Sequence, residues 1–289
     1  MASKSVLPAA VSDQKYVTVS PMAGGYITLD DKFFVHPADP KARRTVPSLT
    51  FLITHPGSGI YGADQTKPFH LMFDLGLRKA KELYPQALQK HIDGRAPHEL
   101  SPGVAKQLKD GGLDPSAVDL VMLSHVHYDH HGDPEDFPKA HFVVGRGALN
   151  VLEHGLGGIA PHQHFVPGTL PEDRSTTYDL FGDGSVYVVD TPGHLPGHVN
   201  LLCRTKDRWL MLCGDAFHDR RLLTGEKDIG TWEGPHGTLC IHLDKEAAAE
   251  SIRRLREFQK MAGDEVELIA AHEEVWWERN RRNAFPAKL

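Results

Sequence analysis

Residues 124–132 read SHVHYDHHG, and within them His125, His127, Asp129 and His130 place three imidazoles and a carboxylate in six positions. Imidazole nitrogen and carboxylate oxygen are the donors that zinc and other first-row divalent metals take. One ion with three or four protein ligands would not use every group in such a cluster once further donors join it, so the pattern points to two ions. The competing explanation is a polar loop whose histidines bond the backbone. That suits a lone histidine better than four donor residues together. His131 falls outside the pattern and reads as a residue behind the site or in solvent.

Elements must hold these groups. DLVML precedes the cluster as a short buried strand ending near 124, so that His125 and His127, two apart, would point the same way. LTFLIT (49–54) and HLMFDL (70–75) are further apolar strands, separated by a Gly- and Pro-rich loop. Ser101-Pro102 reads as the cap and first-turn proline of a helix that Lys109-Asp110-Gly111 closes. HFVVG (141–145) is a strand with a helix from about 146 to 154. Downstream, strands are expected at 185–190, in VNLLCRT and RWLMLCGD as a hairpin, and in VELIAAH. DKEAAAESIRRLREFQKM is a helix capped by Asp244, and EVWWERNRRN a terminal helix. Strands dominate each half, and the expected class is α+β, two sheets packed together with helices on the outer faces.

H-x-H-x-D-H after an apolar strand resembles the core motif of the metallo-β-lactamase superfamily. The remaining blocks of that family are present in order: MFDLG with Asp74, VVDTPGHLPGH with His194, LMLCGDAF with Asp215 and LIAAHE with His272. The resemblance spans residues 70–275. It implies the family's αβ/βα sandwich, one domain over 1–289 with 1–15 as an N-terminal arm, and two divalent ions, zinc by default, with manganese or iron also fitting. One ion would take His125, His127, His194 and Asp215, and the other Asp129, His130, His272 and the same Asp215. Two such ions, two carboxylates and a bridging hydroxide leave one net positive charge to hold a developing oxyanion, and metal coordination brings the pKa of water from about 15.7 to near 7. Asp74 would orient ligand loops and His198 would stand behind them.

The ligand set also separates branches. Secreted β-lactamases of the family lack the bridging carboxylate, and flavodiiron proteins carry an acidic residue where His127 stands. What remains resembles acyl-homoserine lactonases and glyoxalase II thioesterases. Such lactonases have a Tyr three residues after the bridging Asp; here that position is His218, a candidate donor to the substrate carbonyl or simply a loop residue. The expected activity is opening of a small cyclic ester or cyclic amide, with Asp129 or a metal-bound water protonating the leaving group. A thioesterase, for which Arg279, Arg281 and Arg282 would be the basic residues, and a non-catalytic metal-binding protein are the alternatives. Two loops would shape the pocket: residues 155–172, where His162 and His164 are pocket lining or surface, and the long connection 219–244, with Trp232 and His236.

Composition narrows partners. The 289 residues carry a formal charge of −6 and no long basic run, which counts against nucleic acid. No apolar run nears the roughly 20 residues of a membrane span. Three cysteines without paired spacing and a broken apolar N-terminus lead to an expected cytoplasmic location. Of the 19 histidines, His36, His55, His91 and His98 look scattered.

Overall fold

The computed structural model describes residues 6–155, 168–169, 177–235 and 237–289, so His162, His164 and His236 lie outside the described residues. Two sheets carry the fold. The first orders its strands β1 (Thr18–Asp30), β2 (Arg43–His55), β3 (Phe69–Phe73), β4 (Leu120–Leu123), β5 (His141–Val144) and β6 (Gly168–Thr169). The second contains β7 (Thr177–Asp179), β8 (Val186–Asp190), β9 (Val199–Arg204), β10 (Trp209–Leu212) and β11 (Val266–Ile269), in the spatial order β11, β10, β9, β8, β7. β3, β4 and β5 run parallel, as do β10 and β11, while the other hairpin-linked pairs are antiparallel. Helices α1 (Gln86–Asp93), α2 (Val104–Asp110), α3 (Ala148–His154), α4 (Arg220–Thr224), α5 (Lys245–Ala262) and α6 (Glu274–Asn280) complete the main frame.

Alternation along each strand sorts the core into layers. Leu120 and Met122 face the second sheet, where they share a cluster with Leu201, Leu210, Leu212 and Ile269. Val121 and Leu123, on the opposite pleat, pack against Val104 and Leu108 of α2 and Val151 of α3. Met211 and Leu268 turn outward onto Ala248, Ile252 and Leu255 of α5. The result is helix, sheet, sheet, helix, the expected α+β sandwich. Among the described residues no helix is long and apolar enough to cross a membrane, and all three cysteines are free thiols.

Two local expectations are corrected. The helix after Ser101-Pro102 begins at Val104, with Gly103 at φ 78° before it and no side-chain cap, so Ser101 does not cap it. The segment 219–244 is not an open loop: it folds into α4, a two-residue strand pairing Asp228–Ile229 with Val35–His36, and a hairpin of Thr231–Gly234 with Gly237–Cys240. By contrast α5 is capped as expected, the Asp244 carboxylate accepting from Ala247 N at 2.9 Å.

Candidate active site

Strands β3, β4, β8, β10 and β11 point the same way, and their C-terminal ends deliver Asp74, His125, His194, Asp215 and His272 to one edge of the sandwich. β4 ends at Leu123, so His125 and His127 stand beyond the strand and strand alternation does not aim them. A turn does, with His130 N donating to His127 O at 3.1 Å. Asp74, at φ 62°, fixes that turn from beneath. Its carboxylate accepts from Ser124 N and Ser124 Oγ, both at 2.7 Å, and from His130 Nδ1 at 2.9 Å.

His194 is placed by a close crossing. Gly193 sits at φ 127°, and a Cβ there would lie 2.1 Å from Ala248 N. α5 can therefore press against the loop, where Leu243 N and Asp244 N donate to His194 O and Gly193 O. Gly193→Ala is expected to cost at least about 1–3 kcal/mol from backbone strain alone, read as a lower denaturant midpoint, because the steric clash adds to it. An unchanged midpoint would mean the crossing relaxes freely.

Gly214, at φ 48°, does the same for Asp215, since its Cβ would meet Ser124 Cβ at 2.7 Å. A relay then pins Asp215. Its backbone N donates to His198 Nε2 at 3.0 Å, so His198 Nδ1 carries the proton and donates to Thr191 Oγ1, which donates to Asn200 Oδ1, both at 2.9 Å. Burial pushes the His198 pKa down to about 3, in keeping with that neutral form. His198 thus stands behind Asp215, as the sequence indicated.

All seven candidate ligands converge. Asp215 Oδ2 lies 3.8 Å from His125 Nε2 and 3.4 Å from His194 Nε2. Its other oxygen, Oδ1, lies 3.3 Å from His130 Nε2 and 3.4 Å from His272 Nε2. His127 Nδ1 is 2.9 Å from both His125 Nε2 and His194 Nε2, and Asp129 Oδ2 is 3.5 Å from His272 Nε2. The donors form two groups, His125, His127, His194, Asp215 and Asp129, His130, His272, each within 4.8 Å of one another and each able to hold a cation.

The outer nitrogens test that fit. His272 Nδ1 donates to Pro47 O at 2.8 Å, His130 Nδ1 to Asp74, and His125 Nδ1 to Ser124 Oγ at 3.0 Å. In each neutral ring the inner Nε2 is then a bare lone pair aimed at the centre, the arrangement metal-binding histidines have. Buried His130 Nε2 and Asp215 Oδ1 find no well-formed hydrogen bond within the protein. Burial holds His125 and His194 well below the usual imidazole range and His127 at about 4. For His130 and His272 burial acts the same way, but the facing carboxylates outweigh it and raise both. A positive charge is therefore favoured between these rings and Asp215, and a cation supplies it as a proton would.

A cavity of about 340 Å³ opens onto this cluster. Asp129, Asp215, His194, His218 and His272 reach its floor, and Ile27, Leu29, Phe34, Leu88 and Ile241 give it apolar walls. His218 is buried, not a solvent residue: its Nε2 is 3.0 Å from Asp215 Oδ2, its ring stacks on His272 with centroids 5.8 Å apart, and Arg44 Nη2 donates to its carbonyl at 2.9 Å. Trp232 packs edge-on against Phe33 at 5.0 Å and does not line the cavity. His131 is fully buried with Nδ1 on Gly132 O, so the solvent alternative for it fails.

Four residues of the site were not singled out from the sequence. His91 is no scattered residue but lines the cavity with Arg95 and Tyr128. His242 is buried with Nδ1 3.3 Å from His194 Nδ1, and with His194 and His218 it forms a third histidine cluster. Tyr128 lies inside the motif and could have been noticed. His91, Arg95 and His242 carry no spacing signal, since only the fold brings them in.

Residues 70–266, more than half of the chain, match the family model described as the metallo-β-lactamase superfamily. The chain belongs to the metallo-β-lactamase superfamily. Within it, the chain is 31% identical over 191 residues to "Gamma-lactamase FDB1" of Fusarium pseudograminearum, covering 59% of this chain and 45% of that protein. It is 31% identical over 170 residues to "Gamma-lactamase MBL2" of Gibberella moniliformis, covering 51% of this chain and 70% of that one. It is 32% identical over 182 residues to "N-acyl homoserine lactonase AttM" of Rhizobium radiobacter, covering 59% and 65%. The fold is shared with a mutant of B. thuringiensis AiiA solved with N-decanoyl-L-homoserine at its active site, at a TM-score of 0.71 and 19% identity over 97% of this chain and 100% of that one.

Proposed function

We propose that this chain is a dinuclear metal-dependent hydrolase that opens a small cyclic ester or cyclic amide. One observation carries the proposal: Asp215 turns one oxygen toward His125 and His194 and the other toward His130 and His272, on the floor of a cavity with apolar walls. A carboxylate so placed would serve two cation positions at once. His125, His127, His194 and Asp215 would hold one ion, and Asp129, His130, His272 and Asp215 the other. Zinc suits the N/O set by default, and manganese or iron also fit. Bound there, two divalent ions supply Lewis acidity toward a carbonyl oxygen and bring the pKa of water from 15.7 to about 7.

The protein's own groups do the rest. The apolar walls seat a small ring and exclude water around it. Asp129 faces the cavity, where its carboxylate can take the proton that the attacking water loses and pass it to the leaving oxygen or nitrogen. His218 lines the same floor and can donate to the carbonyl oxygen. The names of relatives, γ-lactamases and an N-acyl homoserine lactonase, favour a cyclic amide or ester over a thioester. Arg279, Arg281 and Arg282, which a glutathione thioesterase would use, do not line the cavity. We also take 1–289 as one domain, because the cluster between the sheets draws on strands from both halves.

Elemental analysis after full loading should find about two metals per chain. A panel of lactones, lactams, β-lactams and thioesters on that protein should show turnover on a lactone or lactam. Metal content that stays at one removes the dinuclear reading, and turnover confined to thioesters removes the cyclic substrate.

A further inference from the structure

Arg95 enters the cavity from the connection after α1. Its backbone is held on both sides, with N donating to Ile92 O at 2.8 Å and O accepting from Thr28 N of β1 at 2.9 Å. The half-buried side chain lines the same cavity as Asp129 and Asp215. Its contacts carry no negative charge: Nε is 3.4 Å from His91 Nε2, the guanidinium lies 6.0 Å from the Phe34 ring centroid, and Tyr128 lines the cavity beside it.

Other part-buried arginines find strong acceptors: Arg204 and Arg256 donate to backbone carbonyls, and several pair with acids. Arg43, Arg44, Arg78, Arg220 and Arg221 each reach a carboxylate within 3 Å. Among the described residues none does so for Arg95. A cation drawn partly out of water against apolar walls loses hydration that a counter-charge or several carbonyl oxygens must restore, and Arg95 has neither among the described residues. A guanidinium presents a planar fork of donors that matches a carboxylate.

We propose that Arg95 recognises the substrate through a carboxylate remote from the bond that is cut, so that the ligand spans from the Asp129 and Asp215 floor to the guanidinium. This rests on the cavity being the substrate site, as the proposed hydrolase requires. It makes the substrate class a cyclic ester or amide bearing an anionic side group, and sets Arg95 as the residue that selects it.

Binding tests this apart from turnover. Calorimetry on the full zinc-loaded chain would compare α,ω-dicarboxylates from glutarate to suberate with monocarboxylates of the same carbon count. One carboxylate takes the floor in either case, so only the second can meet Arg95. The best-fitting dicarboxylate is expected to bind at least about tenfold tighter than its partner, the range of one charge-assisted hydrogen bond. Arg95→Met should bring that ratio to about one. Arg95→Lys keeps a charge but not the fork and should retain part of it, which also controls for folding. No preference in the unaltered protein, or a preference that survives Arg95→Met, overturns the proposal. A preference that Arg95→Met abolishes, in a protein that opens no cyclic ester or amide, supports the anion site and removes only the proposed reaction.

Discussion

Asp215→Asn is expected to lower turnover by at least about 10³-fold and to drop bound metal below two per chain. Replacing a partner that merely orients a metal ligand already costs about 10–100-fold in affinity or activity, and Asp215 is in the proposed assignment the carboxylate that both sites share. Asparagine keeps the shape and the backbone bond to His198. It removes the charge, and it turns an N–H donor toward inner nitrogens that present lone pairs. One of the two groups then loses its only anionic oxygen, that of His125, His127, His194 and Asp215. Metal analysis beside kinetics, with circular dichroism to confirm the fold, checks this. Near-normal turnover with two metals retained would make Asp215 structural and the ligand assignment wrong.

His218→Ala is expected to lower turnover by about 10²–10³-fold, the usual cost of removing one donor to a developing oxyanion, while the two metals stay. The basis is position: the ring lines the cavity floor, and its Nε2, 3.0 Å from Asp215 Oδ2, is the nitrogen that would carry the donated proton. Its backbone is held by Arg44, which also pairs with Asp31 at 2.8 Å and Glu274 at 3.1 Å, so the ring's location does not depend on its own hydrogen bonds. Rate and metal lost together would show that His218 supports Asp215 and does not face the substrate. No change in either would leave the imidazole without a role.

The sequence by itself determined the donor set and its order. His125, His127, Asp129 and His130 are local, held within one turn, and their types point toward divalent cations. Asp74, His194, Asp215 and His272 were legible because each follows a short apolar strand, and a strand end is where a side chain leaves the pleat for a shared edge. The layers were legible for the same reason: strand pleats and the amphipathic α5 announce which face is buried. β1 was not, because Pro21 and Gly24-Gly25 interrupt TVSPMAGGYITLD. The strand survives them through a register shift between Ala23 and Tyr26 and an edge position where proline needs no ladder partner.

The division of donors around Asp215 was implied by the resemblance, but the distances behind it come from the tertiary structure, because they depend on the rotation of one carboxylate between rings from three strand ends. Only the tertiary structure decided what surrounds them. Trp232, expected near the substrate, packs on Phe33 instead, since the hairpin that carries it lies against the turn that follows β1. His91 and Arg95 become cavity walls through the packing of α1 beside β1, and His242 reaches His194 through the crossing that Gly193 permits. Contacts between residues tens of positions apart have no period or spacing along the chain. They exist only once burial of the two sheets has fixed where each loop must pass.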